Sequence, residues 1–212
     1  MATSHHPQVE AARFLDRTIR LFLSEEEGLH AQTWILAVSR MAGSELQQAL
    51  LRQTVGIKVG GGLGMLGRFQ RHKTNARSDE GEQRLVALLL ASLDQCGDPL
   101  AETAIQCPPE GSDCARLSLA QTRGRLGALV AACARSHGLG RLEMAEALTV
   151  ASALAVHQCR DLVPLTLGAG LAVTGLVEGA RTLAQPFSHD QPGTPGQTPG
   201  GLGNSMPKAA RG

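Results

Sequence analysis

Residues 56–73 read GIKVGGGLGMLGRFQRHK, and six of the first twelve are glycine. As a phosphate-binding turn the stretch calls for an α/β fold; as a joint between helices it leaves the chain all-α. Gly62-x-Gly64-x-x-Gly67 has the letters of the dinucleotide fingerprint, whose glycines allow a tight turn and close approach of backbone to a pyrophosphate. That reading needs a second strand ending in an acidic residue about twenty positions on. Leu85, Val86, Leu88, Leu89, Leu90 and Leu93 occupy that ground, and their density suits a buried helix. Gly62 and Gly67 also have the separation of a Walker A loop, but Arg68 and Phe69 stand where lysine and a magnesium-ligating hydroxyl belong. Residues 56–67 therefore read as a joint, with a short strand at most through Val55, Ile57 and Val59. A phosphate would use Gly62, Gly64, Gly67 and Arg68, and it is the weaker reading.

Composition points the same way. One Trp, four Phe and no Tyr leave a core built from Leu, Ala and Val, which suits close-packed helices better than a β-sandwich. A formal net charge of +1 gives no global field toward nucleic acid. The basic run Arg68, Arg71, His72, Lys73 and Arg77 has a single aromatic, Phe69, and acidic residues follow from Asp79, so it reads as a solvated helix start. The five cysteines, Cys96, Cys107, Cys114, Cys133 and Cys159, fit reduced thiols; a Cys107–Cys114 bridge around Pro108–Pro109 is the alternative in an oxidising compartment. Met1–Arg20 lacks a basic-then-apolar signal layout, so the expected location is cytoplasmic.

Working outward, Gln8–Leu23 places Ala12, Leu15, Ile19, Phe22 and Leu23 at helical spacing, with Arg13, Asp16, Arg17 and Arg20 opposite. Ser24 with Glu27 predicts a capped second helix to Met41, ended by Gly43; Ser44 with Gln47 predicts a third through Thr54. A leucine-rich helix is expected from Asp79 to Gly97, and a short one after Asp98-Pro99. A long helix follows from about Asp113 to Ser136, in which Gly124 and Gly127 suggest a close neighbour. Leu142–Cys159 and the apolar segment Leu162–Val177 complete the set. The tail from Pro186, rich in Pro, Gly, Thr and Gln, is expected to be disordered. No convincing internal repeat appears.

Other motifs weigh little. Gly138–Leu148 resembles the first half of a helix-turn-helix module, with Ala145 at its small position. The segment that would read bases, Ala151–His157, offers no Arg, Lys, Asn or Gln, which argues against nucleic acid. Leu162–Val177 has sixteen uncharged residues, short of the roughly twenty that cross a bilayer, and Glu178 interrupts its Gly175–Gly179 pair. Glu27 and His30 make one E-x-x-H where a di-iron bundle needs two, and the cysteine spacing gives no zinc site, so no metal and no cofactor is expected. Cys133 with His137 and Cys159 with His157 are the conceivable thiol–imidazole pairs.

The expectation is an all-α bundle of seven or eight helices. It divides into an N-terminal helical hairpin or trio (1–55), a glycine-rich basic joint (56–77), a main bundle (78–185) and a disordered tail (186–212). Its function reads as non-enzymatic: an interaction or regulatory protein that binds a partner protein or self-associates. Membrane or partner contact would fall on Leu167, Gly168, Leu171, Gly175 and Gly179. The alternatives are insertion of the glycine-rich apolar segments into a bilayer, and a phosphate held at Gly62–Gly67.

Overall fold

The computed structural model describes residues 7–24, 30–56, 67–108 and 116–182. These form six α-helices: α1 Pro7–Ser24, α2 Ala31–Gly56, α3 Gly67–Gln95, α4 Leu119–His137, α5 Arg141–Gln158 and α6 Leu165–Arg181, with a 3-10 turn at Glu102–Ala104. No strand occurs among the described residues. The described residues are all-helical, as the composition favours, and form six helices where the sequence suggests seven or eight. Residues 57–66 and the tail beyond 182 lie outside the described residues.

α5 lies at the centre and packs against each of the other five helices. Met144, Ala145, Ala147, Leu148, Ala151, Ala153, Ala155 and Val156 are buried over most of its circumference, leaving one strip of Glu143, Glu146, Val150, Leu154 and His157 less covered. Its buried hydroxyls, Thr149 and Ser152, donate to the carbonyls of Ala145 and Leu148 at 2.8 Å, so neither needs a partner on another helix. One continuous core runs from Ala11 to Ala180.

Paired residues fix the directions. Gln8 bonds Glu146 and Arg20 bonds Gln158, so α1 runs parallel to α5. Arg84 bonds Glu146 and, beyond the end of α3, Asp98 meets His157, which orients α3 the same way. α2 and α6 run opposite to these and parallel to one another, their closest approach spanning Ser39 against Gly175 and Ser44 against Gly179. The hairpins α1–α2 and α5–α6 thus lie side by side in the same sense.

Several sequence expectations fail for physical reasons. Gly43 does not end a helix: α2 runs through it, because the bare α-carbon is what lets the Leu176–Ala180 backbone of α6 approach. A Cβ there would stand 2.7 Å from Ala180 N. Ser44 caps nothing; its hydroxyl donates to Arg40 O at 2.8 Å. Asp98 opens no α-helix because its carboxylate is engaged by His157 and Arg160, and only the 3-10 turn follows. α3 begins at Gly67, twelve residues before Asp79. The leucine-rich part of α3 buries one row, Leu85, Leu89 and Leu93, and leaves Val86, Leu88 and Leu90 half-buried. Gly124 and Gly127 face no close neighbour at all. α5 passes through Thr149 without a turn, which removes the helix-turn-helix reading.

The local signals do operate. Ser118 and Gln121 form a reciprocal capping box at the start of α4, and Gly138, at φ +65°, ends it in the left-handed region. His30 starts α2, its Nδ1 accepting from the Thr33 amide at 3.3 Å.

Candidate functional site

The charged side chains inside the bundle serve mostly to tie helices together. Arg40 meets Glu178 at 2.7 Å, Arg141 meets Glu45 at 2.7 Å and Arg181 meets Glu82 at 3.0 Å. The Arg123 guanidinium donates to Ser44 Oγ at 2.8 Å and to the Thr182 and Gly179 carbonyls at 2.9 and 3.2 Å. It thereby closes the C-terminal end of α6, where its charge suits the helix dipole. Burial holds its pKa below the usual arginine value.

Among the described residues, one close cluster of chemistry-bearing side chains forms around Asp98. His157 Nδ1 stands 2.6 Å from Asp98 Oδ2, and Arg160 Nη1 lies 3.2 Å from Asp98 Oδ1. The hydrogen bond to His157 holds the Asp98 carboxyl below its ordinary range. A nucleophile is what the cluster lacks among the described residues. Cys159, buried, has its thiol pushed up to about 11 by desolvation, and burial together with Asp98 raises Cys96 as well. Such thiols stay protonated near neutral pH. His137 meets Phe14, at 6.3 Å between ring centroids, and makes no bond to Cys133. Among the described residues no three His, Cys, Asp or Glu side chains group as metal ligands, and no helix is long and apolar enough to cross a membrane.

Of the residues singled out from the sequence, Gly62 and Gly64 lie outside the described residues, and Gly67 and Arg68 form the first turn of α3. Gly168, Leu171, Gly175 and Gly179 are buried, and Leu167 is half-buried. A Cβ on Gly175 would lie 2.9 Å from Ser39 Cβ, and one on Gly179 would lie 2.9 Å from Ser44 N. This row is already occupied by α2, so a bilayer or partner would reach it only after α2 and α6 part.

Among the described residues, exposed large apolar side chains gather mainly on the outer edge of α1. Ala11, Ala12, Leu15, Asp16 and Ile19 face the core. Leu21, Phe14 and Phe22 are exposed at 61%, 47% and 42%. With Thr18 they occupy positions i, i+4, i+7 and i+8 of the helix, which is one row. Two of the four phenylalanines in an aromatic-poor chain therefore stand on one solvent-facing edge. Covering each such side chain is worth on the order of 1–2 kcal/mol. Arg17 lies three residues after Phe14 and four before Leu21, on the flank of the row, with Arg13 one turn earlier; both are exposed.

Behind this edge Asp16 and Trp34 each keep one buried polar atom, Asp16 Oδ1 and Trp34 Nε1, without a hydrogen-bond partner. Gln158 Nε2 donates to the other Asp16 oxygen at 2.8 Å, and the Arg20 guanidinium lies 5.5 Å over the Trp34 ring. Sequence reasoning gave α1 a single apolar face. The seven-residue spacing of Phe14 and Leu21 marks a second row beside it.

No protein-family model matches the chain, and neither a curated protein nor a solved structure matches it.

Proposed function

We propose that the chain acts by contact rather than by catalysis, as a helical interaction or regulatory protein whose contact element is α1. The exposed Phe14, Leu21 and Phe22, which share one row of α1, carry this reading. Large apolar residues that continue one helical row favour a second surface laid along them, whereas singly scattered ones need no explanation. Leu162, 74% exposed in the α5–α6 connection, is such a single residue and serves as the control.

A photo-crosslinking amino acid placed at position 21, in the cells that make the chain, tests the reading. A discrete protein adduct is expected from position 21 and none from position 162, with loss of the adduct on Phe14→Ser. A dimer-mass adduct identifies self-association, and a larger or smaller one a separate partner. Equal adducts from the two positions, or none from either, would overturn it.

A further inference from the structure

We infer that the occupant of the α1 edge is an acidic amphipathic helix of a partner protein. This rests on the contact reading above and names its partner class. The edge has a sign. Arg13 and Arg17 stand exposed beside the apolar row, and Arg20, held by Gln158 at 2.9 Å, follows on the same side. Glu10, three residues before Arg13 and four before Phe14, is the one exposed acid of α1 and lies on the same flank, which therefore carries Arg13, Arg17 and Arg20 against one carboxylate. Positive charge is thus concentrated on this edge of a chain whose formal net charge is only +1.

That sign separates the candidate occupants. A second copy would bring its own Arg13 and Arg17 to the seam, and like charges set side by side oppose pairing. An acidic helix would place its apolar anchors on Phe14, Leu21 and Phe22 and its carboxylates on the arginines. The cations flank the row on one side only. The other side meets α4, whose His137 ring contacts Phe14. A helix lying along α1 suits this one-sided layout better than a bilayer surface does.

Two labelled 18-residue peptides, with leucine at i, i+3, i+4 and i+7 and either glutamate or lysine elsewhere, test the inference by fluorescence anisotropy against the full chain. The glutamate peptide is expected to bind at least tenfold more tightly at low ionic strength, with the preference shrinking in high salt. Arg13→Glu with Arg17→Glu should reverse the preference. Phe14→Ser with Leu21→Ser should abolish binding of both peptides while leaving the far-UV spectrum unchanged, since these side chains are outside the core. Equal binding of the two peptides overturns the acidic-helix assignment and leaves the contact reading standing. Failure of both peptides, with sedimentation on phosphatidylserine-containing vesicles but not on phosphatidylcholine alone, replaces the helix with an anionic lipid surface. Failure of peptides and vesicles while the position-21 crosslink persists overturns the acidic helix alone; loss of the crosslink too removes both readings.

Discussion

Asp16 is the residue at which the fold works against itself. It lies among Ala12, Leu15 and Ile19 on the buried side of α1, with one oxygen bonded to Gln158 and the other unpartnered. Desolvation raises its pKa above 3.8, outweighing the pull of Gln158, Arg20 and Arg17. A carboxyl raised in the folded state favours folding in its protonated form. That contribution is whole below the ordinary pKa and is lost as pH climbs through the raised value. At neutral pH the ionised group therefore weakens the docking of α1. Asp16→Asn keeps an acceptor for Gln158 and removes the buried charge, so it should raise Tm at pH 7. The gain in Tm should close as pH falls toward 4, and an unchanged or lower Tm at pH 7 would refute the argument. Asp98 has the opposite sign: its pKa is lowered by His157, so its contribution is present above the ordinary value and disappears in acid. Asp98→Asn should accordingly lower Tm at pH 7 and have little effect well below pH 4.

Within the helices, glycines with the same helical backbone have opposite roles, and only the partner helix tells them apart. A Cβ on Gly179 would meet the Arg40 carbonyl and stand 2.9 Å from Ser44 N, both of them backbone, so α2 and α6 would have to separate. Gly179→Ala should cost about 1–3 kcal/mol as an overpacking change. A Cβ on Gly127 meets nothing within 4 Å, and Gly127→Ala should stabilise α4 by about 0.5–1 kcal/mol. Thermal melts of the two variants should move in opposite directions; a shared direction would show that the α2–α6 approach is not what requires the glycine. The same contrast explains what the sequence made legible. The end of α4, expected near Ser136, was legible because it is set locally, the Gly138 amide bonding Ala134 four residues back. Gly43 was misread as an end because its reason lies on α6, more than a hundred residues away. For the same cause α1 showed Ala12, Leu15 and Ile19 as buried, but Phe22, expected with them, is exposed and Asp16, expected opposite, is buried; which side faces solvent depends on where α4 and α5 fall.

Across the molecule, the sequence marked Leu85–Leu93 as a deeply buried helix, yet α5 holds the centre. Leucine density marks a strong apolar face, which α3 uses along one row. A centre approached by five helices needs small side chains over most of its surface, and the Ala, Ser and Thr of α5 supply them without a strong amphipathic pattern to announce it. This placement has a measurable consequence. Leu148 is fully buried on α5, the helix against which α1, α2, α3, α4 and α6 all pack. Leu148→Ala should cost about 2–5 kcal/mol by lost burial and a residual cavity, which for a chain of this size lowers Tm by roughly 4–20 °C. The loss should reach every helix together. Trp34 is the chain's single tryptophan, with no tyrosine beside it, so its emission reports the α1–α2 side of the core while far-UV ellipticity reports all the helices. In the wild type the two melting curves should coincide, and in Leu148→Ala they should coincide again at the lower temperature. Emission from Trp34 melting apart from the far-UV signal would instead show that the first two helices unfold as a unit of their own, dividing the chain where the glycine-rich stretch 57–66 lies.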